Sequence, residues 1–209
     1  MSGCGRERPA RFSVFDMRNG HFHFVKAFFR NPAAVGAIWP SSEELARAMI
    51  AGLHLAPGET LLELGPGTGA FTRHIQNILP DKQAYLGIER ETTFVKLLRR
   101  SYPELHFVNG DARETPILVT RAHRKPVKVV VSSLPFATLL REDREGIIAG
   151  LLDIMPPGAV FRTFQYVHAY PLPSAVHFRR QMHRAFEEFH RSSIVFQNIP
   201  PAFVLTWIR

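Results

Sequence analysis

The chain has 209 residues, 45% of them hydrophobic and 21% charged, which is ordinary globular usage and excludes a disordered tail, a collagen and a coiled coil. No apolar run reaches the roughly 18 residues of a spanning helix, and the basic start from Met1 to Arg11 has no apolar segment behind it, so neither a transmembrane protein nor a secretory signal is predicted. The single cysteine, Cys4, excludes an intrachain disulfide framework and a cysteine-cluster metal site, and points to a reducing, cytoplasmic setting.

The net charge of +8 is unevenly placed. Residues 1–30 hold six basic and two acidic side chains, residues 162–209 another six and two, and residues 31–161 hold 14 of each. An excess confined to the two ends suggests a polyanion partner, either nucleic acid or an anionic membrane surface.

In chain order, residues 1–20 are Arg-rich without periodicity and read as a flexible arm. In residues 21–30, Phe24, Val25, Phe28 and Phe29 fall at helical spacing beside Lys26 and Arg30, and Asn31-Pro32 ends the segment. This segment reads either as a core helix or as one lying in a membrane interface, apolar face down, with its cations at headgroup level. Pro40-Ser41-Ser42-Glu43-Glu44 predicts a helix start with Ser41 as N-cap and Glu44 three residues on, followed by an apolar stripe of Leu45, Met49 and Leu53.

From residue 59 strands and helices alternate. Strands are predicted at Thr60–Leu64, Ala84–Ile88, His106–Val108, Val127–Val131 and Ala159–Tyr166. Helices are predicted over 69–79, 92–101, 140–154 and 174–188. Ile194–Phe196 and Phe203–Ile208 read as a closing hairpin around Pro200-Pro201. The pattern predicts an α/β fold, a mostly parallel sheet of seven strands with helices on both faces and an antiparallel C-terminal hairpin.

The densest motif is Glu63-Leu64-Gly65-Pro66-Gly67-Thr68-Gly69, which follows a strand and opens a helix. Its glycines let the backbone turn sharply and approach a ligand closely. Glu89 ends the second strand, where a carboxylate can accept ribose hydroxyls. Asp111, followed by Ala112, ends the third, where a carboxylate can face an adenine amine. Acids at successive strand ends beside a glycine turn point to a nucleotide-like cofactor at the carboxyl edge of the sheet. Ten histidines show no ligand spacing, so no metal is predicted.

These pieces resemble the class I S-adenosylmethionine-dependent methyltransferases, whose first motif is often E-x-G-x-G-x-G. The resemblance implies a Rossmann-like fold and S-adenosyl-L-methionine as cofactor, held by Glu63, Gly65, Gly67, Thr68, Gly69, Glu89, Asp111, Ala112 and Ser132, with Ser41 and Ser42 from the preceding helix start. Ser132-Ser133-Leu134-Pro135-Phe136 resembles the Asn-Leu-Pro-Tyr loop of amine-directed members, with Ser133 in the Asn place and Phe136 in the Tyr place. Ser133 can accept one hydrogen bond but lacks the planar amide, and Phe136 lacks a ring hydroxyl.

A wider resemblance is to the bacterial phospholipid N-methyltransferases, which methylate phosphatidylethanolamine. It rests on Phe28–Pro32, Val35–Ser42, Glu63–Gly69, Gly87–Glu89, Ser133–Pro135, Phe164–Tyr166 and Asn198–Ala202. Ornithine-lipid N-methyltransferases are similar. This resemblance implies N-methylation of an amine phospholipid or aminolipid at the inner face of the cytoplasmic membrane, by a monomer peripherally bound to anionic lipid. Ser133 and the neighbouring carbonyl of Leu134 would hold the amine, and Tyr166 or His168 would take or relay its proton. Phe24, Lys26, Phe28, Phe29, Arg30, Trp39 and Phe136 would meet membrane or substrate, with Trp39, Phe136 and Tyr166 as an aromatic box for a cation. The implied layout is an arm (1–20), membrane-facing and cofactor-covering helices (21–58) and a methyltransferase domain (59–209). The alternative is an RNA adenine N-dimethyltransferase, whose loop motif is related and which the basic ends suit; Ser133 and Phe136 weigh against a nucleic-acid substrate.

Overall fold

Short apolar and β-branched runs form a sheet that is covered on both faces, and this explains why its inner strands lack polar alternation. In the computed structural model, β1 (Thr60–Leu64) and β2 (Tyr85–Glu89) are buried at every position. β3 (His106–Asn109), β4 (Val127–Ser132) and β5 (Val160–Tyr166) complete the parallel part. β6 (Glu188–Arg191) and β7 (Ala202–Ile208) are antiparallel to each other, and the order across the sheet is β3-β2-β1-β4-β5-β7-β6. The structure describes residues 41–124 and 126–209, which fall within one unit, Ile38–Arg209.

The register aligns the functional ends. Leu64 lies opposite Ile88 and Ser132, and Glu89 opposite Asn109. Tyr166 at the end of β5 faces Ala202 at the start of antiparallel β7, so the β6–β7 connection emerges at the same edge as the loops after β1 to β5.

α1 (Glu43–Ile50), α2 (Thr72–Ile75) and α3 (Thr92–Ser101) cover one face, where Leu45, Met49, Ile75, Val95 and Leu98 pack on Leu61 and Val129. α4 (Thr115–Arg121), α5 (Arg141–Ile154) and α6 (Pro173–Ala185) cover the other, where Val119, Ile147, Leu151 and Phe178 pack on Leu62, Val130 and Phe161. Arg162 on β5 donates to the carbonyls of Met49 and Ala51, which closes the end of α1 on the sheet.

The structure corrects several expectations. The N-cap of α1 is Ser42, not Ser41: its Oγ accepts the Leu45 N–H, and its own N–H is taken by Asn198 Oδ1 at 2.9 Å, which holds it outside the helix. The helix expected over 69–79 is α-helical only at Thr72–Ile75, because the bonds Asn77 N–H to His74 O and Ile78 N–H to Ile75 O tighten the chain before Pro80. The last helix ends at Ala185 with Phe186 extended, and residues 188–191 form β6 instead. Val195 makes only an isolated bridge to Ala202. The arm, the helix over 21–30 and Trp39 lie outside the described residues. Among the described residues no helix is long and apolar enough to cross a membrane, and no group of three or more His, Cys, Asp or Glu could hold a metal.

Candidate active site

The loop after β1 turns through left-handed backbone at Gly65, Gly67 and Gly69, with φ of 69°, 58° and 88°. At two of these a side chain would also lack space. A Cβ on Gly65 would lie 3.0 Å from Leu134 Cδ2, and one on Gly69 would lie 2.9 Å from Tyr102 Cε2. The loop is therefore pressed against the Ser133–Phe136 segment on one side and α3 on the other.

Beneath it, Glu63 is fully buried. Its Oε2 accepts from Thr72 Oγ1 at 2.7 Å and from Tyr85 Oη at 2.6 Å, tying β1 to α2 and β2. Its Oε1 has no hydrogen-bond partner among the described residues. Burial pushes this carboxyl up to about 7, against the pull of the two hydroxyls. Glu63 is thus part of the loop's foundation.

Glu89 stands at the end of β2, 7% exposed. Its Oε2 accepts the Gly67 N–H at 3.0 Å and its Oε1 the Glu91 N–H at 2.9 Å. Burial holds its pKa above the ordinary value in spite of these amides. The Arg90 backbone amide also draws on this carboxylate, and with about four lone-pair sites in all the group keeps acceptor capacity for a diol hydroxyl. Asp111 caps the turn at Ala112–Glu114 and is gripped by Arg113, Nε to Oδ1 at 3.0 Å and Nη2 to Oδ2 at 2.9 Å, with Arg113 reaching on to Asp143 at 2.8 Å. The Arg113 hydrogen bond first of all lowers the Asp111 pKa. An adenine amine at Asp111 would share it with this guanidinium. Ala112 turns its carbonyl to Thr115 Oγ1, and Thr68 is exposed at the tip of the glycine loop.

Past β4, Ser132 is fully buried, and its Oγ accepts the Leu134 N–H at 3.2 Å, so this serine shapes the loop from inside. Ser133 is half-buried. Its N–H donates to Leu64 O at 3.0 Å, and its hydroxyl has no hydrogen-bond partner among the described residues. The Leu134 carbonyl already accepts the Phe136 N–H at 2.9 Å. Phe136 is a correction. It is 3% exposed, stacked on Phe178 with ring centroids 4.7 Å apart and edge-on to Phe161, so it belongs to the core and offers no face to a cation.

Tyr166 is half-buried at the end of β5, with the exposed ring of His168 parallel to it at 5.7 Å. Burial raises the Tyr166 pKa above its ordinary value, which favours the phenol at neutral pH. Sequence reasoning missed Asn198, Arg113 and Arg144. Asn198 was legible only as part of a block, because its partner Ser42 lies 156 residues away. Buried Arg144 donates to Gln181 at 2.8 Å and joins α5 to α6 behind the Ser133 loop.

The residues present fit a methyl-donor nucleoside. A glycine cradle is closed to side chains, a carboxylate keeps acceptor capacity for a diol hydroxyl, and a second acid stands at the next strand end. Fold and site define a class I S-adenosylmethionine-dependent methyltransferase. Residues 18–138 match the family described as ribosomal RNA adenine dimethylase, and the chain belongs to that family. It is an S-adenosylmethionine-dependent N-methyltransferase.

Among its relatives, the ornithine lipid N-methyltransferase of Singulisphaera acidiphila is 26% identical over 186 residues, 87% of this chain and 92% of that protein. The ribosomal RNA small subunit methyltransferase A of Chlorobium phaeobacteroides is 31% identical over 103 residues, 49% of this chain and 36% of that protein. Among solved structures, the glycopeptide N-methyltransferase MtfA complexed with S-adenosyl-L-methionine has a TM-score of 0.62 at 14% identity, covering 82% of this chain and 95% of that one. The N-methyltransferase NodS of Bradyrhizobium japonicum, in complex with S-adenosyl-L-homocysteine, has a TM-score of 0.59 at 8% identity, covering 90% and 98%. These two speak for the fold alone.

Proposed function

We propose that this protein N-methylates the amine of a lipid headgroup, an ornithine lipid or phosphatidylethanolamine, while peripherally bound to the cytoplasmic membrane. The observation that carries the reading is the reach of its similarity to an aminolipid enzyme, which spans 92% of that relative, against 36% of the ribosomal RNA enzyme. The Ser42–Asn198 hydrogen bond supports it, since it joins two of the blocks that carry the phospholipid-enzyme resemblance, Val35–Ser42 and Asn198–Ala202.

S-adenosylmethionine supplies an electrophilic methyl group. The glycine loop, Glu89 and Asp111 would hold it at the carboxyl edge. Transfer needs a neutral amine aligned with the methyl carbon, so the chain's work is to bind and orient. Ser133, pinned by its own N–H to Leu64, offers a free hydroxyl to accept one amine hydrogen. The carbonyl of Leu134 has one lone pair left for a second. Tyr166, favoured as a phenol, would orient the headgroup, and His168 or solvent would receive the proton.

The family match favours a second reading, methylation of an adenine in RNA. Lipid mass spectrometry on a host that lacks methylated aminolipids separates the two. New lipids heavier by one or more methyl groups support the first. Unchanged lipids, together with methylated adenine in the RNA, overturn it.

A further inference from the structure

Exposed apolar side chains carry information when they gather in one place. Among the described residues, Leu140, Leu172, Phe196 and Ile199 stand 58, 48, 69 and 67% exposed. All four sit in connections at the carboxyl edge of the sheet. Leu140 immediately precedes α5, Leu172 immediately precedes α6, and Phe196 and Ile199 lie between β6 and β7. The strands concerned, β4, β5 and β7, are neighbours; the Arg144–Gln181 bond joins α5 to α6, and the Phe136–Phe178 stack joins the loop after β4 to α6. The tips therefore project from adjacent elements, at the edge that carries the glycine loop and Ser133.

Two of them are held out by construction. Between Phe196 and Ile199, Asn198 turns inward, accepting the Ser42 N–H at 2.9 Å and donating to Pro200 O at 2.7 Å. Val195 on the other side bridges Ala202. With the loop tied at both points, its apolar side chains are left facing solvent, an arrangement that gains nothing in water and gains by insertion into an apolar phase.

Charge selects the occupant. After Asp153 the only acidic residues are Glu187 and Glu188, and Glu188 pairs with Ile208 at the opposite end of the sheet. At the carboxyl edge His168 is exposed. Arg191 lays its guanidinium over the Tyr170 and Phe203 rings, at 5.3 and 4.6 Å, with no carboxylate partner among the described residues. Apolar tips beside an exposed guanidinium, with no acid among them on the β5–β7 side, match the headgroup layer of an anionic bilayer. Bound RNA would use the guanidinium and leave the tips in water.

We propose that this edge is a bilayer-docking face. Leu172, Phe196 and Ile199 enter the headgroup layer, Leu140 lies at the margin, and Arg191 meets lipid phosphate, so that the methyl-donor site opens onto the membrane. The proposal rests on the aminolipid reading and deepens it, and it is independent of residues 21–30.

The test is flotation of the full chain with vesicles of phosphatidylglycerol and phosphatidylcholine, comparing wild type with Phe196→Ser/Ile199→Ser. The double variant should partition at least about tenfold more weakly, with donor affinity and melting temperature unchanged, because both side chains are exposed. In a second measurement, the emission of Phe196→Trp should be quenched by lipids brominated on their acyl chains. A double variant that floats like wild type overturns the proposal, as does unquenched emission. A wild type that shifts RNA but does not float overturns it too. The lipid mass spectra keep the two failures apart. Methylated aminolipid with flotation indifferent to Phe196 and Ile199 removes the docking face alone. Flotation that depends on them, with no methylated lipid, keeps the face and removes the substrate.

Discussion

At Glu63, burial raises the carboxyl while Thr72 and Tyr85 pull it down, and burial prevails at about 7. The folded chain thus holds a proton that the unfolded chain, near the ordinary 4.5, releases. This contribution to stability is complete below the unfolded value, falls as pH rises to about 7 and is flat above it. Glu63→Gln removes the titration. In urea melts its stability relative to wild type should rise by roughly 2–3 kcal/mol between about pH 5 and pH 8. A difference that does not change with pH would mean another group titrates. At Gly67 the constraint is backbone geometry. With φ of 58°, Gly67→Val puts a β-branched residue where it is strained by about 1–3 kcal/mol and displaces the N–H that Glu89 accepts. Calorimetry should find donor binding lost while the circular dichroism spectrum is kept; normal affinity would refute the cradle. Glu63, Glu89 and the glycines were legible because a motif is local. The Asp111–Arg113 clamp and the burial of Phe136 were not, because they depend on which surfaces meet.

Among the elements, β1 is where the sequence puts it, and β2 to β5 agree within one residue at either end, since a buried parallel strand is a dense apolar run bounded by turns. α4 was missed because Thr115-Pro116-Ile117-Leu118-Val119 is rich in residues that favour strands, and only Pro116 near its start hints at a helix. β6 was missed because Glu188-Phe189-His190-Arg191 has no strand pattern of its own; its partner β7 defines it. The link from the β6–β7 connection to α1 was also invisible in the sequence, and it has a measurable weight. Asn198→Ala leaves the part-buried Ser42 N–H and Pro200 carbonyl without their partner, a loss of about 1 kcal/mol. Hydrogen exchange should speed up at Ser42 and Leu45 as well as in the loop. Exchange faster in the loop alone would show that the bond does not hold α1.

For the whole molecule, charge and architecture are complementary. The middle of the chain is neutral and builds the site, while residues 162–209 carry a net excess of four positive charges. The attraction that the proposed docking face would have for anionic lipid is screened over about 10 Å at 0.1 M salt and about 3 Å at 1 M. Vesicle binding should weaken as salt rises and be weaker on purely zwitterionic vesicles. Binding indifferent to both would assign it to apolar insertion alone. The fold class was legible from the alternation of strands and helices; the sheet order was not, since no local pattern records that β7 lies between β5 and β6.

That placement of β7 bears on how the molecule assembles. Strands β2 to β5 can pair as soon as they have been made, each finding a neighbour earlier in the chain, whereas β6 has no partner until β7 is available. During synthesis Glu188–Arg191 therefore waits, unpaired, for Ala202–Ile208 to leave the ribosome, and the packing of α6 against Trp207 waits with it. The part of the sheet that bears Phe196 and Ile199 is then the last to form, so a newly made chain reaches its finished glycine loop before the β6–β7 side of its carboxyl edge is built.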